Sequence, residues 1–136
     1  MEKSELDQLK PFLPAGEYGA LRQAINGEEG AAIRQLCADQ VALIAAMPVT
    51  YQQDGKGDAA IAYLHYFFGG SDWFITEKDK LGDGRAQAYG FAVLNGDTDN
   101  AEYGYISIAE LVENEVELDL YWQTQPMSEV KKECGK

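Results

Sequence analysis

The spacing of the apolar residues changes near Pro48, and this change limits the folds that are open to the chain. Over residues 28–47 the apolar residues recur at intervals of three and four, which buries one face of a helix. From residue 60 onward, short alternating runs are separated by Gly- and Asp-rich stretches, as in strands joined by turns. The pattern predicts an α+β fold in which N-terminal helices pack on a four- to five-stranded, mainly antiparallel sheet.

Capping residues and helix breakers place the individual elements. The predicted helices cover residues 4–9, 17–25, 28–47, 107–114 and 126–133. Ser4 and Ser107 are in N-cap positions, and Pro48 ends the long helix because the residue before a proline avoids the helical conformation. The predicted strands cover residues 60–68, 73–77, 88–94, 103–107 and 116–122.

The size of the chain predicts one domain, residues 1–136, with a helical part over 1–48 and a β-rich part over 49–136. A chain of this length buries about two-thirds of its unfolded surface and needs no disulfide or metal for stability. Cys37 lies in an apolar helical run and Cys134 in a polar tail, which favours two reduced thiols. The start of the sequence lacks the apolar segment of a secretory signal, so a cytoplasmic protein is expected. No cofactor is predicted.

The charge of the chain is strongly and unevenly negative. Asp and Glu number 23 against 11 Lys and Arg, a net charge of −12. Residues 49–136 hold 16 acids and 7 bases and so contribute −9 of that charge. Such a field repels phosphate groups and disfavours direct nucleic-acid binding. It favours a basic protein as partner, and the longest apolar run, residues 41–47, is too short to cross a membrane.

Four segments of the β-rich part resemble a known domain family. They read QDGKGDA, DWFITE, YGFAVLN and EYGYISIAEL, and the similarity extends over about residues 49–122. The family is an uncharacterised one carried by plasmids and conjugative elements, and its genes are often found near those of ArdC-type anti-restriction proteins. The resemblance implies a setting on mobile DNA and does not imply a reaction.

The acids between residues 97 and 119 form the predicted partner-binding surface. Its residues are Asp97, Asp99, Glu102, Glu110, Glu113, Glu115, Glu117 and Asp119. The last three alternate along a predicted strand, so their carboxylates should share one face. The alternative is an edge strand whose charges only prevent aggregation.

The loop over residues 95–102 has a second interpretation as a cation site. It supplies three carboxylates and an amide within six residues, but it departs from the calcium-loop pattern at Ala101 and Glu102. Asn95-Gly96 is also typical of a turn between two strands, and we favour the turn. No tightly bound metal is predicted, and any cation near Asp97 and Asp99 should be weakly held by oxygen ligands.

Aromatic residues recur in the predicted strands. The set is Trp73, Tyr89, Phe91, Tyr103 and Tyr105, which alternation would place on one face, with Gly90 and Gly104 on the other. Core packing explains such a set. A partner groove or small-molecule sensor site formed by Trp73, Tyr89 and Tyr103 is the alternative.

The sequence thus predicts a small acidic accessory protein of a mobile element. It should bind a basic host-defence or DNA-processing protein, in an anti-restriction or anti-defence role, without catalysing a reaction. The alternative is a metal-dependent or acid–base enzyme that uses Glu77, Glu102 and His65, if neighbouring strands bring them to one face. A third interpretation is a small-molecule sensor on the aromatic face of the sheet.

Overall fold

The computed structural model describes residues 4–53 and 55–134, and within them it contains five α-helices. These are α1 (Glu5–Leu9), α2 (Ala15–Ala24), α3 (Gly30–Ala46), α4 (Ile108–Glu113) and α5 (Met127–Glu133). The hydroxyl oxygen of Ser4 accepts a hydrogen bond from the Asp7 N–H at 3.2 Å, and that of Ser107 accepts one from the Glu110 N–H at the same distance. Both predicted N-caps are confirmed.

Seven strands in the same part of the chain form two sheets. They are β1 (Ile61–Ala62), β2 (Leu64–Phe68), β3 (Ser71–Glu77), β4 (Ala88–Val93), β5 (Glu102–Ile106), β6 (Glu117–Leu118) and β7 (Gln125–Pro126). The larger sheet is antiparallel with the order β5-β4-β3-β2-β6, and β1 pairs with β7. The predicted α+β fold with a five-stranded antiparallel sheet is confirmed.

Two predicted strands differ from those in the structure. Residues 60–68 divide into β1 and β2, because β1 pairs with β7 in the separate sheet. Residues 119–122 were predicted to continue the last strand, and this was wrong. The Asp119 carboxylate accepts a hydrogen bond from the Tyr121 N–H at 3.0 Å and turns the chain away.

The two faces of the larger sheet are covered by different helices. Buried residues of β2 and β3, among them Leu64, Tyr66 and Ile75, pack with those of the N-terminal helices in one cluster. The Tyr66 hydroxyl donates to the Phe12 carbonyl at 2.6 Å and so ties the sheet to this helical layer. On the other face Phe74, Phe91 and Val93 pack against Met127 and Val130 of α5 in a smaller cluster.

The remaining sequence expectations concern cysteines and membrane spans. Cys37 is buried in α3 and Cys134 lies at the C-terminal end of α5, and both are free thiols. Among the helices of the described residues, none has the length and apolar character needed to cross a membrane.

Candidate functional site

A pocket of about 340 Å³ opens on the face of the sheet that carries α5. It is lined by Gln53, Gly55, Gly57, Ala60, Thr76, Glu77, Tyr89 and Tyr103, and we call it the tyrosine pocket. Its floor is the end of β3, and one wall comes from β4 and β5. The rim is formed by the described lining residues that precede β1.

A β-bulge in β3 directs Glu77 into this pocket. Ile75 pairs with Gly90, but two residues later Glu77 pairs with Tyr89, so Thr76 is the extra residue. Directly opposed residues of antiparallel strands point to the same face, which puts Glu77 on the face of Tyr89. A Cβ atom on Gly90 would meet the Phe74 carbonyl oxygen, so the close approach of β3 and β4 requires glycine there.

The Glu77 carboxylate is almost completely buried. Glu77 is only 4% exposed, and its Oε2 accepts a hydrogen bond from the Gln53 N–H at 2.6 Å. The Gln53 side chain donates to the Thr76 carbonyl at 2.7 Å and accepts from the Ile61 N–H at 2.8 Å. Gln53 therefore holds the start of the loop against the sheet and aims its own N–H at Glu77.

The rim of the tyrosine pocket is closed by a small polar network. The Tyr103 hydroxyl donates to Asp58 Oδ1 at 2.9 Å, and the same oxygen lies 2.6 Å from Lys131 Nζ. The hydrogen bond from Lys131 is the main cause that lowers the pKa of Asp58. Burial raises the pKa of the Tyr103 phenol well above its usual range, and the bond to Asp58 raises it further. Tyr103 is therefore a neutral hydrogen-bond donor at physiological pH.

The three residues of the predicted enzyme site do not come together. Tyr103, Phe91, Phe74 and His65 form one row across β5, β4, β3 and β2. Glu102 precedes Tyr103 in the strand and therefore points to the opposite face from His65. The expectation of one shared face is wrong for Glu102, and His65 lines a different cavity from Glu77.

His65 instead joins three elements of the sheet. Its Nε2 lies 2.7 Å from Asp72 Oδ1 and its Nδ1 lies 3.0 Å from Asp119 Oδ2. Each ring nitrogen is thus within hydrogen-bond distance of one carboxylate, which links β2 to β3 and to the segment that follows β6. The ring also stacks on Phe74, with centroids 4.7 Å apart. Across residues 4–53 and 55–134, no group of three or more His, Cys, Asp or Glu side chains is placed to hold a metal ion.

The predicted aromatic groove is only partly formed. Tyr89 and Tyr103 share the tyrosine pocket, their rings nearly parallel with centroids 6.3 Å apart. Trp73 pairs with Tyr66 and packs against the cluster under the N-terminal helices, so it lies on the other face. The prediction that Trp73 lies with the two tyrosines was wrong. Trp73 precedes Phe74 in β3, so its side chain points to the opposite face of the sheet from Phe74 and Tyr103.

The loop between β4 and β5 forms a turn. The Asp97 carboxylate accepts hydrogen bonds from the Asn100 backbone N–H at 3.2 Å and from its side-chain amide at 2.7 Å. Asn95 and Gly96 both adopt positive φ angles, +54° and +70°. The Asp97 N–H donates to the Leu94 carbonyl at 2.9 Å, so residues 94–97 form a β-turn within the longer connection of β4 and β5, as the turn interpretation expected.

The strand order separates the acids of the predicted surface. Glu102 is on β5 and Glu117 on β6, which are opposite edges of the sheet, about 19 Å apart at ~4.8 Å per strand. Asp97 and Asp99 lie in the β4–β5 loop, and Glu110 and Glu113 are exposed on α4. The eight acids therefore occupy separate parts of the surface.

The structure adds one acid that the sequence reasoning missed. Glu17 of α2 accepts the Leu118 N–H at 2.9 Å through Oε1, and Glu115 accepts the Gly16 N–H at 3.4 Å. The pKa of Glu17 is raised to about 7, mainly by burial and also by the charges of Glu117 and Asp119. The hydrogen bond from Leu118 acts in the opposite direction and lowers this pKa. We call this group, Glu17, Glu115, Glu117 and Asp119, the acidic edge. Nothing in the local sequence around Glu17 distinguishes it from an ordinary acid in a first helical turn.

Comparison of the chain with protein-family models, curated proteins and solved structures found no match. The tyrosine pocket and the acidic edge are the two candidate functional sites of the described residues. They lie at different places on the sheet, since the pocket is formed at the ends of β3, β4 and β5, and the acidic edge at β6.

Proposed function

We propose that this protein acts without catalysis, by binding a basic protein partner through the acidic edge. The observation that carries the proposal is the crowding of four acids at β6, where burial and then the neighbouring carboxylates raise the pKa of Glu17 to about 7. The ion pairs of the described residues bring no Lys or Arg to the four acids, and the one basic side chain in contact with them there is His65, through Asp119. A Lys or Arg from a partner would pair with these carboxylates and reduce the repulsion between them.

The backbone of β6 favours contact through side chains over the addition of a strand. β6 pairs with β2 on one side only. On its other side the Leu118 N–H, which an incoming strand would need, is already bonded to Glu17. The exposed carboxylates of Glu115 and Glu117 are the groups that a partner reaches first.

The partner class is proposed from charge and from the family resemblance. An excess of 12 negative charges attracts proteins with basic surfaces, such as those that bind or cut DNA. The resemblance over residues 49–122 to a family of plasmids and conjugative elements supports a host-defence or DNA-processing protein. An anti-restriction or anti-defence role of a mobile element fits both.

A pair of charge-matched variants tests this proposal. The first variant, Glu115→Gln with Glu117→Gln, neutralises the acidic edge. The second, Asp99→Asn with Glu102→Gln, removes the same charge near the opposite edge. The partner would be captured from host lysate. Its association rate would then be measured between about 50 and about 500 mM salt, a range over which the screening length falls to well under ~10 Å.

We expect the first variant to slow association about ten-fold at low salt, and the second to change it less than about two-fold. Added salt should lower the association rate of the wild-type protein to a value close to that of the first variant. A rate that does not depend on salt, or equal losses in the two variants, would refute the acidic edge as the binding surface.

A further inference from the structure

We propose that the tyrosine pocket binds an organic cation, a protonated amine or a guanidinium group, with Glu77 as its counter-ion. This site is separate from the acidic edge and does not depend on the function proposed for it. The inference rests on three observations: a buried carboxylate with an incomplete set of partners, aromatic walls, and a cavity of ligand size.

Among the residues that the structure describes, the Glu77 carboxylate finds fewer partners than a buried anion requires. A carboxylate has two oxygens that together accept about four hydrogen bonds. The described residues provide one donor, the Gln53 N–H on Oε2, and their ion pairs do not include Glu77. A buried charge costs free energy unless it is paired. A cation that enters the pocket would form both an ion pair and hydrogen bonds with the carboxylate.

Two charged side chains at the rim of the pocket are paired with each other. Asp58 and Lys131 form an ion pair at the rim, 2.6 Å between Oδ1 and Nζ. Glu77 is then the one unpaired charge among the described lining residues, and it is negative. The described lining residues include no Lys or Arg that would pair with an anionic ligand, so the lining favours a cation.

Aromatic rings make the pocket suitable for an organic cation. Tyr89 and Tyr103 form one wall, and the face of an aromatic ring attracts a cation within about 6 Å. Lys131 Nζ already lies 4.8 Å from the Tyr103 ring centroid, so Tyr89 is the wall residue that remains for a ligand cation. Calcium needs six to eight oxygen ligands, far more than one carboxylate supplies.

The volume of the pocket, about 340 Å³, is at the lower end of the range for small-molecule sites. A free amine metabolite or a Lys or Arg side chain of another protein would present the same chemistry. The two sources differ in what surrounds the cation, and the experiment below separates them.

The test uses n-butylammonium, n-butylguanidinium and the uncharged n-butanol as probes. Binding is followed by the NMR shifts of the tyrosine rings of the wild-type protein. We expect saturable shifts at Tyr89 and Tyr103 with both cations, at concentrations of about 1–10 mM, and none with n-butanol. Equal shifts with n-butanol, or no saturable shift with either cation, would overturn the proposal without the use of a variant.

Two substitutions identify the groups that bind the cation. Glu77→Gln keeps an oxygen that can accept the Gln53 N–H and removes the charge, and should weaken cation binding at least about ten-fold. Tyr89→Leu should weaken it about three- to thirty-fold. Glu102→Gln, which makes the same charge change on the opposite face of the sheet, should leave it within about two-fold. Unchanged binding in a folded Glu77→Gln protein would overturn the proposal.

A second arm compares n-butylamine with a short blocked peptide that contains one lysine. Tighter binding of the peptide, lost in Glu77→Gln, assigns the pocket to a side chain of a protein partner. Tighter binding of the free amine, lost in the same variant, assigns it to a small molecule. Failure of these titrations leaves the salt dependence at the acidic edge intact, so the two proposals fail separately.

Discussion

Replacement of Glu17 by Gln should stabilise the protein at pH 8 and leave its stability at pH 4 nearly unchanged. The pKa of this carboxyl is about 7 in the folded protein, against an ordinary value of 4.5, mainly because it is buried and then because Glu117 and Asp119 are close. Between these two pH values the folded state keeps a proton that the unfolded state has lost. The stability that Glu17 contributes is therefore fully present below pH 4.5 and is lost as the pH rises through 7.

The size of the effect follows from the difference of about 2.5 between the two pKa values. At about 1.36 kcal/mol for each pH unit the upper limit is ~3.4 kcal/mol. Glu17 is only half-buried, and solvent reduces the effects of both burial and neighbouring charge. We therefore expect the free energy of unfolding to rise by about 1–2 kcal/mol at pH 8. Gln at this position keeps an oxygen for the Leu118 N–H, which lies 2.9 Å from Oε1 in the wild-type protein.

Urea unfolding at pH values from about 4 to about 8 measures this difference directly. The Glu17→Gln protein should gain stability over the wild-type protein progressively across that range. Glu28→Gln, at an exposed position before α3, is the control with the same charge change and should show a nearly constant difference. Parallel pH profiles for the wild-type and Glu17→Gln proteins, or a Glu17→Gln protein that is less stable at pH 8, would refute the raised pKa assigned to the Glu17 carboxyl.

Two further predictions concern the sheet that carries the tyrosine pocket. Gly90→Ala should destabilise the protein by about 2 kcal/mol or more, because the new Cβ meets the Phe74 carbonyl, whereas Gly104→Ala has open space and should cost less than about 1 kcal/mol. Equal thermal shifts in the two variants would contradict the close approach of β3 and β4. His65→Phe keeps a ring against Phe74 but leaves two carboxylates without their partner, and should lower the free energy of unfolding by about 1–3 kcal/mol. An unchanged urea midpoint would show that this link contributes nothing.

Local features of this protein could be predicted from the sequence because the interactions that create them lie close together in the chain. The Ser4 and Ser107 caps join residues three positions apart, and the apolar period of α3 repeats within each helical turn. The turn at Asn95-Gly96 depends on the freedom of these residues to adopt positive φ angles. The short connections between successive strands were sufficient to predict the antiparallel sheet.

The two candidate sites depended on contacts that local sequence does not encode. Glu17 meets Leu118 across 101 positions of the chain, and its pKa follows from burial and from acids that arrive with β6. One extra residue at Thr76 reverses the face of Glu77, and the pairing register places Trp73 away from the tyrosines. A side-chain period of two makes the face of every strand residue sensitive to a single bulge or shift in register. Only the pairing of all strands therefore determined which carboxylates are crowded and which one is buried beside aromatic rings.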